Sequence, residues 1–579
     1  MKPSMPDQPS SPARWPGSGS AIAGSTPGAP VVEIYDTTLR DGAQREGLSL
    51  SAVDKLRVAR LLDGLGVTFV ELGWPGSNPK DVEAFERARD VEWTTASLAA
   101  FGSTRRAGCS PDADPQVVAL LETRAPVCTI FGKSSLLHVR EVLRIGSEEN
   151  LRMIADTVGF LVANGRRVIY DAEHFFDGYR EDPEFAMETL RAAAGAGAET
   201  VVLCDTNGGT LPWEIEQRVG SIVACGSLDG SVRVGARIGV HAHDDSGCAV
   251  ANSLAAVRAG AGHVQGTLNG YGERCGNANL CSIVPNLELK MGRPCLREGA
   301  LATLTHVAWQ AAEIANLAPD AHAAYVGRSA FAHKGGVHVA AIRRHPRAYE
   351  HVDPALVGNK TRVVVSELSG RGNLLAKAEE FEVTLEAGAT TSVLRDLKER
   401  EARGFAFEAA EASVALMMRR ESVGYGAPFE LVDYKVIVGR REREEAFSEA
   451  TIKIRVRGEI IHTAAEGNGP VGALDAALRK ALAGAYPEIA GIRLEDYKVR
   501  ILDSVAGTAA IVRVMIDTSY GEERWSTVGA SPNVLEASWL ALADGIEYGL
   551  ALAGTAREAE PSTEALAHAP ASQVRKGAA

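Results

Sequence analysis

The chain has 579 residues, 45% of them hydrophobic, and a formal net charge of −13. That length exceeds what one hydrophobic core holds, so two or three domains are expected. The acidic balance, with no basic stripe to offset it, excludes a nucleic-acid surface, and no apolar run approaches the roughly 18 to 20 residues of a membrane span.

Eight cysteines are scattered without a C-x-x-C pair, and Cys275 and Cys281 are the closest spaced. That pattern suits neither a zinc knuckle nor a disulfide framework, and reads as reduced thiols in a cytoplasmic protein. Residues 1–30 are rich in Pro, Ser, Gly and Ala and lack an apolar signal core, so a disordered tail is expected there, with another over 555–579.

From Val31 short β-branched runs alternate with amphipathic segments. Strands are expected at 32–35, 68–72, 93–98, 127–131, 167–171, 200–204, 237–241 and 263–268. Helices are expected at 52–65, 78–89, 148–163, 184–194, 213–223, 247–259 and 277–290. This βα alternation predicts a (β/α)8 TIM barrel over 31–294; a doubly wound open sheet is the competing fold, but it usually stops at fewer strands. The barrel places chemistry at the C-terminal ends of its strands. Polar clusters fall at those ends: Asp36–Gln44, Glu173, Thr206 with Asn207, His241–Asp245 and Asn269–Asn279.

Past Arg293 the alternation stops. A mainly helical linker subdomain is expected over 295–400, with helices near 301–317 and 389–404 and the polar run F-A-H-K-G-G-V-H at 331–338. Residues 401–554 contain a repeat: D-Y-K-V at 433–436 recurs at 496–499, and the turn G-N-G-P at 467–470 is matched by G-A-S-P at 529–532. A duplicated α+β domain for ligand binding or dimerisation is the expected architecture.

The segment I-G-V-H-A-H-D-D at 238–245 is the chemical centre of the sequence. Residues i and i+2 of a strand share a face, so His241 and His243 leave one face together, as two ligands of one metal must. An ordinary strand with two histidines is the bland alternative. Asp41 would add a carboxylate, giving a facial set that leaves positions open for a chelating 2-oxo acid. Oxygen and imidazole donors without thiolate suit Mg, Mn, Fe, Co or Zn alike. Arg40 would steady an alkoxide forming at the substrate; its bland alternative is a salt bridge with Asp41 at the barrel mouth.

The segments D-T-T-L-R-D-G-A-Q (36–44), H-A-H-D-D (241–245) and N-G-Y-G-E-R-C-G-N-A (269–278) resemble signatures of the acyl-CoA-condensing (β/α)8 barrel family. That family holds the 2-isopropylmalate, homocitrate and citramalate synthases and, more distantly, hydroxymethylglutaryl-CoA lyase. The likeness runs from about 31 to 552, and G-W-P-G-S-N-P-K-D (73–81) with Y-D-A-E-H-F-F-D-G-Y (170–179) is most similar to the citramalate synthase branch.

The resemblance implies a divalent metal (Mg, Mn or Zn) held by Asp41, His241 and His243, with Asn277 an additional or weaker ligand. It implies Arg40, Gln44 and Thr206 in 2-oxo acid binding and Glu173 in the catalytic water network. G-G-V-H makes His338 the matched base for acetyl-CoA, with His333 competing and Tyr349 assisting. Here the chain departs from the family: K-G-G and H-V-A-A stand where relatives carry serine-glycine and H-Q-D-G. The duplicated domain resembles the family's allosteric domain, implying a homodimer with an effector such as isoleucine or, second, leucine. The expected reaction condenses acetyl-CoA with pyruvate on a route to isoleucine. The alternatives are 2-oxoisovalerate as acceptor, a carbon–carbon lyase, which the duplicated domain argues against, and a non-catalytic amino-acid sensor, which an intact polar set argues against.

Overall fold

The structure, a computed structural model, describes residues 30–225, 236–366, 368–440, 446–503, 507 and 509–559. Residues 1–29 and 560–579, expected as tails, lie outside these. Residues 555–559, assigned to the second tail, instead continue the helix Val534–Ala559. The chain divides into two compact units, 14–332 with 350–362 and 333–349 with 363 onward.

The first unit is built on eight parallel strands: β1 (Glu33–Asp36), β2 (Phe69–Gly73), β3 (Ser97–Ser103), β4 (Val127–Lys133), β5 (Arg167–Glu173), β6 (Thr200–Asp205), β7 (Arg237–Ala242) and β8 (His263–Gly266). They close into a barrel in chain order, β8 pairing β1 from Glu33↔His263 to Asp36↔Gly266. Alternation along each strand sorts the side chains. Tyr35, Phe69, Ala99, Val127, Ile169 and Val202 pack on one another in a cluster of their own. Their neighbours Ile34, Val70, Val168 and Val201 belong to a second, larger core. Toward the strand ends the barrel interior turns polar, at Glu71 and Asp171, two residues beyond Phe69 and Ile169, and at His241 and Gln265, all buried. The floor of the site is thus a continuation of the barrel core.

Caps explain where the helices start. Ser51 and Asp54 form a capping box before Ala52–Leu65, which ends at Gly66 in the left-handed region. Asn78, Asp114, Asp182 and Asn279 each accept an amide of the helix that follows, a device worth about 1 kcal/mol.

β3 begins at Ser97, not at Trp93 as expected. The Asp63 carboxylate accepts the amides of Thr94, Thr95 and Ala96 at 2.8–3.1 Å, so the two β-branched threonines are spent on a loop.

In the second unit, helices Gly336–Arg344, Arg371–Glu380, Ala387–Ala402 and Glu411–Arg420 precede two three-stranded antiparallel sheets. One consists of Glu430–Arg440, Ala446–Val456 and Glu459–Gly467, followed by helix Pro470–Leu482; the other of Arg493–Ile501, Val512–Tyr520 and Glu523–Ser531, followed by Val534–Ala559. Each first strand shifts register at the same place, Leu431/Asp433 and Leu494/Asp496. A shared irregularity at the offset of the D-Y-K-V repeat marks a duplication. The two copies bury one core, including Ile452, Leu474, Ile516 and Leu542.

Candidate active site

The strand ends of the barrel surround a cavity of about 190 Å³ lined by Arg40, Asp41, Gln44, Glu173, Thr206, His241 and His243. Trp74, Phe101, Phe131, Asp171, Cys204, Glu273 and Arg274 complete its wall. Seven of the ten residues expected to form a site therefore meet in one place.

Three donor atoms converge there. Asp41 Oδ2 lies 3.4 Å from His241 Nε2 and 3.8 Å from His243 Nε2, and the two Nε2 atoms are 3.3 Å apart. Asp41 Oδ1, His243 Nδ1 and Asn277 Oδ1 are buried without a hydrogen-bond partner. Buried polar atoms are normally paired, so the orphaned oxygens of Asp41 and Asn277 beside the converging lone pairs fit a bound cation; the His243 orphan, Nδ1, lies on the far side of its ring from the converging Nε2. His241 Nδ1 donates to Gln265 Oε1 at 2.9 Å, and Gln265 Nε2 donates to Asp171 Oδ1 at 2.9 Å. That chain fixes the His241 tautomer with its Nε2 lone pair facing the cluster.

Charge follows the same layout. Burial opposes ionisation of Asp41, but the Arg40 guanidinium and the two imidazoles hold its carboxyl well below the usual carboxylate range. Burial and the adjacent His241 bring His243 down to about 4, leaving a neutral imidazole as a ligand requires. Burial pushes the Asp171 carboxyl up to about 7.

Asn277 reaches the cluster through a bridge pairing it with His243, and its amide nitrogen lies 3.4 Å from His241 Nε2. A Cβ on Gly272 would stand 1.9 Å from Asn277 Oδ1, so only glycine admits this approach.

Arg40 does contact Asp41, at 3.3 Å, as the bland alternative required, but its closer partner is Glu71 at 2.5 Å. Glu71 also accepts from Tyr35 Oη at 2.6 Å, and the guanidinium carbon sits 3.6 Å above the Phe101 ring. The arginine is held on three sides. Glu173 is the last residue of β5 and is ion-paired with Lys133. Next to it, His174 adopts φ 60° and stacks on His138, the first residue of a π-helical turn, at 3.8 Å. Thr206 does not cap a helix; its hydroxyl accepts the His174 amide at 2.8 Å.

His338, Tyr349 and His333 belong to the other unit. His338 is exposed in the first turn of Gly336–Arg344 and stacks on Tyr349 with ring centroids 4.0 Å apart. His333 is buried. The residues that sequence reading missed are Glu71, Asp171, Gln265 and Trp74. Only Glu71 carried a local signal, as the one charged residue of the apolar strand Phe69–Gly73; Asp171 and Gln265 share their strands with other polar residues, and Trp74 lies in the loop after β2.

The chain matches the HMGL-like family over 31–309, the homocitrate synthase post-HMGL domain-like family over 325–404 and the LeuA allosteric (dimerisation) domain over 408–550. It is 52% identical over 523 residues to a Geobacter sulfurreducens protein named (R)-citramalate synthase, covering 90% of this chain and 98% of that one. The chain belongs to the (R)-citramalate synthase family. A Synechocystis member of that family is 53% identical, covering 90% of this chain and 96% of its own. A 2-isopropylmalate synthase from Pyrococcus furiosus stands further off, at 31% identity over 88% of this chain and 97% of that one. No helix among the described residues of this citramalate synthase family member is long and apolar enough to cross a membrane.

Proposed function

We propose that the chain condenses acetyl-CoA with pyruvate and hydrolyses the thioester, releasing (R)-citramalate and CoA. The reading is carried by the 52% identity to the Geobacter protein across nearly its whole length. Asp41, His241 and His243, with Asn277 beside them, would hold a divalent cation such as Mg, Mn or Zn. When bound, such an ion supplies Lewis-acid polarisation of the acceptor's keto group.

The chain's own residues account for the rest. Gln44 and Thr206 hold the 2-oxo acid. Arg40, immobilised by Glu71, offers a fixed positive charge to the keto oxygen as it becomes an alkoxide, where a preorganised donor lowers the barrier. His338 takes a proton from the acetyl methyl, and Tyr349 stacked on it sets the plane of the imidazole. Exposure favours His338 over the buried His333 for this task, since the base must reach a substrate. The methyl carbon bonds to the keto carbon and the alkoxide is protonated. Glu173, anchored by Lys133, orients the water that cleaves the C–S bond, and CoA leaves as the thiol.

Purified protein given Mn, acetyl-CoA and pyruvate should yield (R)-citramalate and CoA in equal amounts, by chiral chromatography and thiol titration. Release of CoA thiol without that product would refute the reading. Gln265→Leu, which cuts the Asp171–Gln265–His241 chain, should weaken Mn binding to the apo protein by about 10- to 100-fold. Unchanged affinity would remove the orienting role.

We propose further that the second unit forms a homodimer and takes isoleucine, the end product of the route the reaction would feed, as its effector. The outer strands of its two sheets expose Ile437, Val438, Val499 and Ile501, 47–59% accessible, apolar residues on open sheet edges of the kind that a second chain covers. Millimolar isoleucine should lower the rate; full activity in both isoleucine and leucine would exclude this regulation.

A further inference from the structure

The lining of the site cavity is polar except along one wall, where Trp74, Phe101 and Phe131 stand together. Phe101 and Phe131 stack with centroids 5.3 Å apart, and the Trp74 indole meets both edge-on at 5.6 and 5.5 Å. Arg40 lies over Phe101. A 2-oxo acid bound with its carboxylate and keto oxygen among the polar groups has to direct its alkyl substituent at these rings, because placing it against unpaired charge leaves those groups desolvated. Phe101 is covered by Arg40 and Phe131 is stacked on Phe101, so Trp74 is the ring whose size sets the remaining space.

Trp74 is tethered at both ends. Its amide donates to Asp81 Oδ2 at 2.8 Å, and its indole Nε1 donates to Gln116 Oε1 at 3.0 Å. Asp81 is buried in an ion pair with Lys55, which also donates to Leu72 O at 3.2 Å. A Cβ on Gly73 would stand 2.4 Å from Asp81 Cγ, so glycine is what lets that carboxylate reach the Trp74 amide. Gln116 Nε2 in turn donates to Gly76 O at 2.7 Å, holding the loop after β2 to the helix Pro115–Glu122. None of these residues touches Asp41, His241 or His243 in the contacts above. The arrangement fixes an indole plane without serving the metal donors.

We infer that Trp74 is the acceptor-size determinant of this enzyme, favouring the methyl substituent of pyruvate over longer or branched ones, and that Gln116 is the positioning residue that keeps the indole in place. The inference rests on the condensation reading above. Acetyl-CoA-dependent thiol release is measured with pyruvate, 2-oxobutyrate and 2-oxoisovalerate for the wild type, Trp74→Ala, Trp74→Phe and Gln116→Leu. One methylene in a hydrophobic pocket changes discrimination by roughly 10- to 200-fold. Trp74→Ala should therefore raise kcat/KM for 2-oxobutyrate relative to pyruvate by at least about 10-fold, with KM for acetyl-CoA unchanged. Gln116→Leu should move the ratio the same way by less, which a merely structural role would not do. If Trp74→Ala fails to fold, Trp74→Phe decides the matter, since it keeps an apolar ring and removes the indole. An unchanged acceptor ratio in a folded, metal-binding Trp74 variant overturns the inference and leaves the condensation reading intact. A wild type that releases no thiol with any acceptor overturns both.

Discussion

Asp41→Ala is expected to abolish both metal binding and turnover. The carboxylate is the one anionic donor of the convergent set, and it sits between Arg40 and the two imidazoles with an oxygen that has no protein partner. Without it, two imidazoles remain with no carboxylate in the donor set, and a divalent cation meets no anionic ligand beside the Arg40 guanidinium. The effect is readable without any assay of catalysis. A ligand at about 100 times its Kd stabilises the folded state by about 2.7 kcal/mol, so Mn should raise the unfolding temperature of the wild type and not of the variant. His243→Ala should behave alike. A variant that still held stoichiometric metal would mean the ligands lie elsewhere.

The second large effect belongs to His338. Removing a general base costs typically 10²- to 10⁴-fold in rate, and His338→Ala should lose that much while binding Mn and pyruvate as before. This separation distinguishes it from Asp41, whose loss removes the platform for every step. Tyr349→Phe keeps the stacked ring and should cost far less. Unchanged turnover in His338→Ala would place the base elsewhere, with His333 next to be tested.

The parts of the fold legible in the sequence are those fixed by local chemistry. Helix Ala52–Leu65 is found at its expected bounds because its start is a capping box and its end a left-handed glycine. β3 is displaced because a distant carboxylate, Asp63, claims the amides that propensity assigned to a strand. The short helix Phe175–Glu181 and the π-helical turn His138–Leu143 carry too few residues for a periodicity to register. The site divides along the same line. His241 and His243 announce themselves by spacing on one strand. Gln265 reaches His241 only through the barrel pairing that sets β8 beside β7, Asp171 reaches Gln265 only because barrel closure brings β5 within reach of β8, and Glu71 acts only through its place beside Arg40. Trp74 read as part of a branch signature; its place in the cavity depends on Gln116, 42 residues away.

The strand-end cluster is proposed to condense acetyl-CoA with pyruvate. That activity is tested most directly by CoA-thiol release from metal-loaded protein, with pyruvate, 2-oxobutyrate, 2-oxoisovalerate and 2-oxoglutarate offered in parallel. Pyruvate should give the highest kcat/KM. A preference for 2-oxoisovalerate would contradict the proposed acceptor, and no release with any of the four would contradict the proposed chemistry.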